Sequence, residues 1–157
     1  MRRRATSVLK WFSALYVVLI VVQVYLAGEG IFGLNVIKHS DDCDKTGAQV
    51  VSSLCAGNSK TLDAHRALGF FLTFFGAILF LIVALVAWNS NKRVRVISIV
   101  APILTFVQMI LPGTGRWGAA LHPVNAFLIL GMYLWLFLTL RRAAPEAVTE
   151  PVAQPSG

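Results

Sequence analysis

The chain has 157 residues, of which 57% are apolar types and only 13% are charged, and its mean hydropathy is +0.71. That length suits one domain, and so small a charged share excludes a disordered chain, a disulfide-rich secreted miniprotein and an ordinary soluble enzyme. The net charge of +7 raises nucleic acid as a partner, so the placement of the charges has to decide.

Four apolar runs follow one another: 11–27, 67–88, 96–112 and 123–140. A membrane helix needs about 20 residues at 1.5 Å each, with about 17 as the lower limit. The third run is therefore marginal, and Pro102 within it predicts a kink. Short connections predict an all-α, antiparallel four-helix transmembrane bundle over residues 1–142. Arg2–Arg4 and the first apolar run resemble a signal peptide, but the run is long, and a cut after Ala27 would place bulky Tyr25 where a small residue is wanted; an uncleaved helix is the expectation. Residues 143–157, with Pro145, Pro151 and Pro155, read as a disordered cytoplasmic tail.

Nine of the 14 basic residues flank the runs on one side: Arg2, Arg3, Arg4, Lys10, Lys92, Arg93, Arg95, Arg141 and Arg142. The positive-inside rule then places both termini in the cytoplasm and loops 28–63 and 113–121 outside the plasma (inner) membrane. The basic balance is accounted for by topology and anionic lipid, and no aromatic-basic surface supports nucleic acid.

The outer side collects the chemistry. Loop 28–63 holds Cys43 and Cys55, on the oxidising side, where a disulfide would staple the loop. Their spacing is not that of a redox CxxC pair. Asp41, Asp42 and Asp44 lack the further oxygen ligands of a calcium loop and read as a solvated cluster. Polar residues at membrane depth also gather here: Gln23 and Gln108 at the outer ends of helices 1 and 3, His65 and Arg66 heading helix 2, and His122, with Asn125 a turn deeper, heading helix 4. Such groups are costly in a bilayer, and their collection on one side points to a site. Helices 2 and 4 run parallel and occupy a diagonal of the bundle, so two imidazoles at similar depth can ligate one metal between them. Gly69 and Gly76 share the His65 stripe and leave room for a flat macrocycle, while Arg66 and Arg116 are cationic partners for its carboxylates. The plain reading of the same residues is interfacial histidines and small-residue helix packing.

The dipeptide His65-Arg66, the second histidine His122 and the pair Cys43 and Cys55 resemble one four-helix half of the haem A synthase family. The stretch LHPVNAF and the overall plan also resemble small four-helix bacterial membrane proteins. The first resemblance implies haem ligation by His65 and His122 and a disulfide in the outer loop. Leu62 stands where the oxidising half of that family carries glutamate, so the resemblance does not extend to hydroxylation of a haem methyl group.

The expectation is a membrane protein that holds a b-type haem between His65 and His122 near the outer leaflet, for electron transfer or haem handling. Arg66 and Arg116 are expected to meet its propionates, Asn125, Gln23 and Gln108 to support the ligands, and Gly69 and Gly76 to make space. The alternative is a haem-free subunit that packs, as a homodimer or within a larger complex, in the lipid bilayer.

Overall fold

The computed structural model describes residues 2–39 and 63–142, with side chains described for 4–29 and 63–142. Four helices account for nearly all of them: α1 (Arg2–His39), α2 (Asp63–Ala87), α3 (Lys92–Ile110) and α4 (Arg116–Arg142). Each contains a segment long and apolar enough to cross a membrane. Cys43, Cys55, the aspartate cluster and the tail 143–157 lie outside the described residues.

The helices run past the apolar runs at their ends. α1 begins among the arginines and continues to His39, well into the segment read from sequence as loop 28–63. α3 is prolonged by a 3-10 turn, Leu111–Thr114, so the helical segment Lys92–Thr114 is 23 residues long, enough to cross a membrane although the uncharged run within it is short. Pro102 sits buried inside continuous helix. The expected loop 113–121 is reduced to a tight reversal at Gly115, whose φ of 86° lies in the left-handed region that favours glycine. α4 starts at once with Arg116 because Gly118 has no side chain: a Cβ there would overlap Thr114 and the Leu111 carbonyl. His122 and Pro123 consequently lie inside α4 and do not head it as the sequence suggested.

At the other end, α2 stops at Trp88, which adopts the left-handed conformation (φ 31°) while its N–H still bonds to the Ala84 carbonyl. Asn91 caps α3 by accepting from the Arg93 and Val94 backbone N–H groups. Arg95 lies over the Trp88 indole at 4.9 Å, and Lys10 over Trp11 at 5.0 Å.

α1 packs on α2 and α4, and α3 packs on the same two, so α1 faces α3 and α2 faces α4 across the diagonals. Level contacts between neighbours, such as Phe12 with Phe80 and Trp11 with Phe137, show that neighbours are antiparallel. Small residues, among them Ser13, Ala84, Ala87, Ser98 and Ala101, let the backbones approach within the bundle. The hydroxyls of Ser13, Ser98 and Thr105 bond to carbonyls of their own helix, so their burial leaves no orphan. Large apolar side chains cover the outside, which is what lipid-facing helices present.

The middle of the core is aromatic. Tyr16 stacks on Tyr133 at 4.3 Å, and Phe80 meets both edge-on. The Tyr16 hydroxyl donates to the Leu72 carbonyl at 2.9 Å. That carbonyl opens a π turn, Leu72–Ala77, set within α2, and the hydroxyl occupies the space where Gly76 has no side chain. We expect Tyr16→Phe to cost about 1 kcal/mol, since it leaves a buried carbonyl without this donor. Gly76→Ala should destabilise the wild-type chain more than it destabilises a Tyr16→Leu chain, because the clash is with the tyrosine. Thermal melts of the four combinations in detergent measure this coupling, and additive effects would refute it.

Candidate functional site

The helices part above the aromatic layer, at the end away from Arg4, Lys10, Lys92, Arg93, Arg95, Arg141 and Arg142, and line a partly open cavity of about 630 Å³. This volume lies within the range of about 300–1,000 Å³ usual for small-molecule and cofactor sites. Each helix contributes a stripe at helical spacing: Tyr16, Ile20, Gln23 and Ala27 from α1; His65, Gly69 and Leu72 from α2; Thr105, Gln108 and Pro112 from α3; His122, Ala126 and Ile129 from α4. The surface is mainly hydrocarbon, with the polar groups concentrated near the two histidines.

The imidazoles of His65 and His122 face one another across the diagonal, with ring centres 6.3 Å apart and planes inclined by 69°. Each ring is fixed from behind. His65 Nδ1 lies 3.1 Å from the Gln23 carbonyl, and His122 Nδ1 lies 3.0 Å from the Gln108 carbonyl. A carbonyl only accepts, so both Nδ1 atoms carry a proton, and in the neutral ring the lone pair is then on Nε2. Among the described residues neither Nε2 makes a hydrogen bond.

The Gln108 carbonyl is available for a reason written in the chain. Its ordinary helical donor would be the N–H four residues on, at Pro112, and proline has none. His122 therefore supplies the hydrogen bond that Pro112 withholds. The Gln23 contact is reciprocal, because its side-chain Nε2 donates to the His65 carbonyl at 3.0 Å. Gln23 Oε1 is buried and has no hydrogen-bond partner. Asn125 Nδ2 donates to the Leu104 carbonyl at 3.1 Å and to Gln108 Oε1 at 2.8 Å. Above the contact of Thr73 with the Thr105 carbonyl (3.5 Å), these bonds run within α1–α2 and within α3–α4. The cavity separates the two pairs, and each pair presents one histidine to it.

Imidazole binds metals at about 2.0–2.1 Å, so ring centres 6.3 Å apart would leave room for one metal ion between the two rings. Among the described residues no group of three or more His, Cys, Asp or Glu side chains converges to hold a metal ion. Two imidazoles without further protein ligands would suit a metal whose other positions a planar macrocycle fills. His65 and His122 would hold such a group, in the gap between two helix pairs and against mainly apolar walls.

Not every residue singled out in the sequence meets the cavity. Arg66 lines its mouth, where it pairs with Asp63 at 3.4 Å; both side chains are exposed and the pair contributes little. Arg116 is exposed and is not part of the lining, because α4 begins two turns earlier than the sequence suggested and carries Arg116 away from His122. Gly69 lines the cavity, but the space beside it is met by Gln23 Nε2, 2.9 Å from where a Cβ would sit. The space at Gly76 belongs to Tyr16 and not to a macrocycle. Tyr16, Ile20, Thr105 and Pro112 are additions that the sequence reading passed over. Tyr16, Ile20 and Ala27 fall on the helical stripe through Gln23, and that spacing was the signal for them.

No protein family, curated protein or solved structure matches this chain, and the chemistry of the site is carried by its own geometry.

Proposed function

We propose that the chain is a multi-pass membrane protein that binds a b-type haem through His65 and His122, in electron transfer or haem handling near the outer leaflet. The observation that carries this reading is the 6.3 Å separation of two imidazoles, each tied through Nδ1 to a backbone carbonyl. Held by His65 and His122, the haem would supply one-electron chemistry.

The protein's own groups prepare the site. The carbonyls of Gln23 and Gln108 hold the ring orientations and raise the basicity of the free nitrogens. Asn125 braces Gln108 against α4 and so keeps the His122 acceptor in place. Ile20, Leu72, Ala126 and Ile129 keep water from the interior, and Arg66 at the mouth is placed to leave Asp63 for a ligand carboxylate. Clustering of Arg4, Lys10, Lys92, Arg93, Arg95, Arg141 and Arg142 at the opposite end supports a cytoplasmic location for that end and for both termini, in the plasma (inner) membrane.

Purified in detergent after expression with adequate haem, the protein should show a Soret band and the spectrum of a low-spin six-coordinate haem, and alkaline pyridine should identify it as b-type. Absence of a Soret band would refute the proposal and leave the haem-free subunit. His65→Ala and His122→Ala should each abolish the low-spin spectrum while helix content by circular dichroism is kept. Asn125→Leu should weaken haem binding by roughly tenfold, as loss of a group behind a ligand commonly does, measured by competition with an apo-haemoprotein. For orientation, Thr114→Cys in a chain with Cys43→Ser and Cys55→Ser should react with membrane-impermeant maleimide in intact cells, and Ser90→Cys only after lysis; the reverse pattern would invert the topology.

A further inference from the structure

Helix α2 does not present one regular stripe to the interior. Its inward positions are His65, Gly69 and the adjacent buried pair Leu72 and Thr73 above, then Ala77, Phe80 and Ala84 below. On the line through His65, Gly69 and Leu72 every step is three or four residues except that from Leu72 to Ala77, which is five. The five-residue step is the π turn Leu72–Ala77. Such turns act as one-residue insertions that leave the helix on either side aligned, and they recur at functional sites. An unbroken α-helix built upward from Ala84, Phe80 and Ala77 would set Thr73 where Leu72 now lies and Arg66 where His65 now lies. His65 would be turned away by about 100°.

The turn is held from α1. The Tyr16 hydroxyl donates to the Leu72 carbonyl at 2.9 Å, and it fits only because Gly76 lacks a Cβ. Tyr16 itself is fixed between Phe80 and Tyr133. A tyrosine on one helix and a glycine on the next thus stabilise an extra residue in a helix that would otherwise close into regular α geometry.

We propose that the π turn sets the register of α2 so that His65, and not Arg66, faces His122 across the cavity, and that Tyr16 and Gly76 are the positioning residues that maintain it. Its functional meaning rests on haem ligation by His65 and His122, while its geometry is independent of any ligand.

The test uses the full chain carrying Cys43→Ser and Cys55→Ser, with His65→Cys and His122→Cys bridged by a short bifunctional maleimide. Deletion of Phe74 or of Phe75, both exposed, shortens the five-residue step to four and leaves the upper face aligned, so bridging of positions 65 and 122 should stay within about twofold of the parent. Deletion of Ala67, above the turn, should lower that bridging by about tenfold or more and transfer it to a chain carrying Ala64→Cys with His122→Cys. Tyr16→Leu combined with Gly76→Ala should move bridging to Arg66→Cys with His122→Cys, and further deletion of Phe74 should return it to position 65. In chains that keep both histidines, the low-spin spectrum should survive deletion of Phe74 and vanish on deletion of Ala67. Loss of 65–122 bridging in both the Phe74 and Phe75 deletions, or unchanged bridging in the Tyr16→Leu, Gly76→Ala chain, would overturn the inference. Bridging as expected in a protein that takes up no haem would remove the haem proposal and leave the register assignment standing.

Discussion

Polar groups inside apolar helices have to find partners from within the protein, because a bilayer offers none. That constraint organises the histidine end of this molecule. Each imidazole is held by a carbonyl on the preceding helix, and in the case of Gln108 the carbonyl is free because Pro112 has no N–H to give it. One bond therefore completes a helix end, fixes a ring and selects its tautomer. The same logic recurs where the Tyr16 hydroxyl meets the Leu72 carbonyl. In both places an irregularity of one helix is matched by a donor from its neighbour.

The bundle divides its labour along its length. Toward the basic end the packing is close, with alanines and serines between backbones and Leu9, Val94, Leu136 and Leu140 filling the remainder. Toward the histidine end the polar contacts stay within α1–α2 and within α3–α4, and the space lies between these pairs. A flat ligand entering that space is held by both pairs at once, so its binding also joins them.

The sequence carried much of this. Four apolar runs gave four helices, and the diagonal placement of α2 and α4 followed from short connections. Gln23, Gln108, His65, His122 and Asn125 were legible as a group because polar side chains are rare at such depth. The helix ends were less legible: hydropathy marks where charge begins, while α1 and α4 continue through arginine, glycine and proline, since helical hydrogen bonding tolerates all of these near a terminus. The π turn left no mark in composition, because LTFFGA reads as ordinary apolar helix, and the buried Thr73 continues a regular four-residue spacing from Gly69 to Ala77. The space at Gly76 was assigned to a ligand because a stripe of small residues does not say which neighbour fills it; a tyrosine sixty residues earlier does.

The layer formed by Tyr16, Phe80 and Tyr133 has an electrical consequence. In a bilayer spanned as proposed, these stacked rings and the close packing beneath them leave ions no route through the bundle. Moving a unit charge through the full potential is worth about 2.3 kcal/mol per 100 mV. A charge that enters and leaves on the cavity side of this layer crosses only part of that potential, so the bundle keeps the membrane sealed against its own opening.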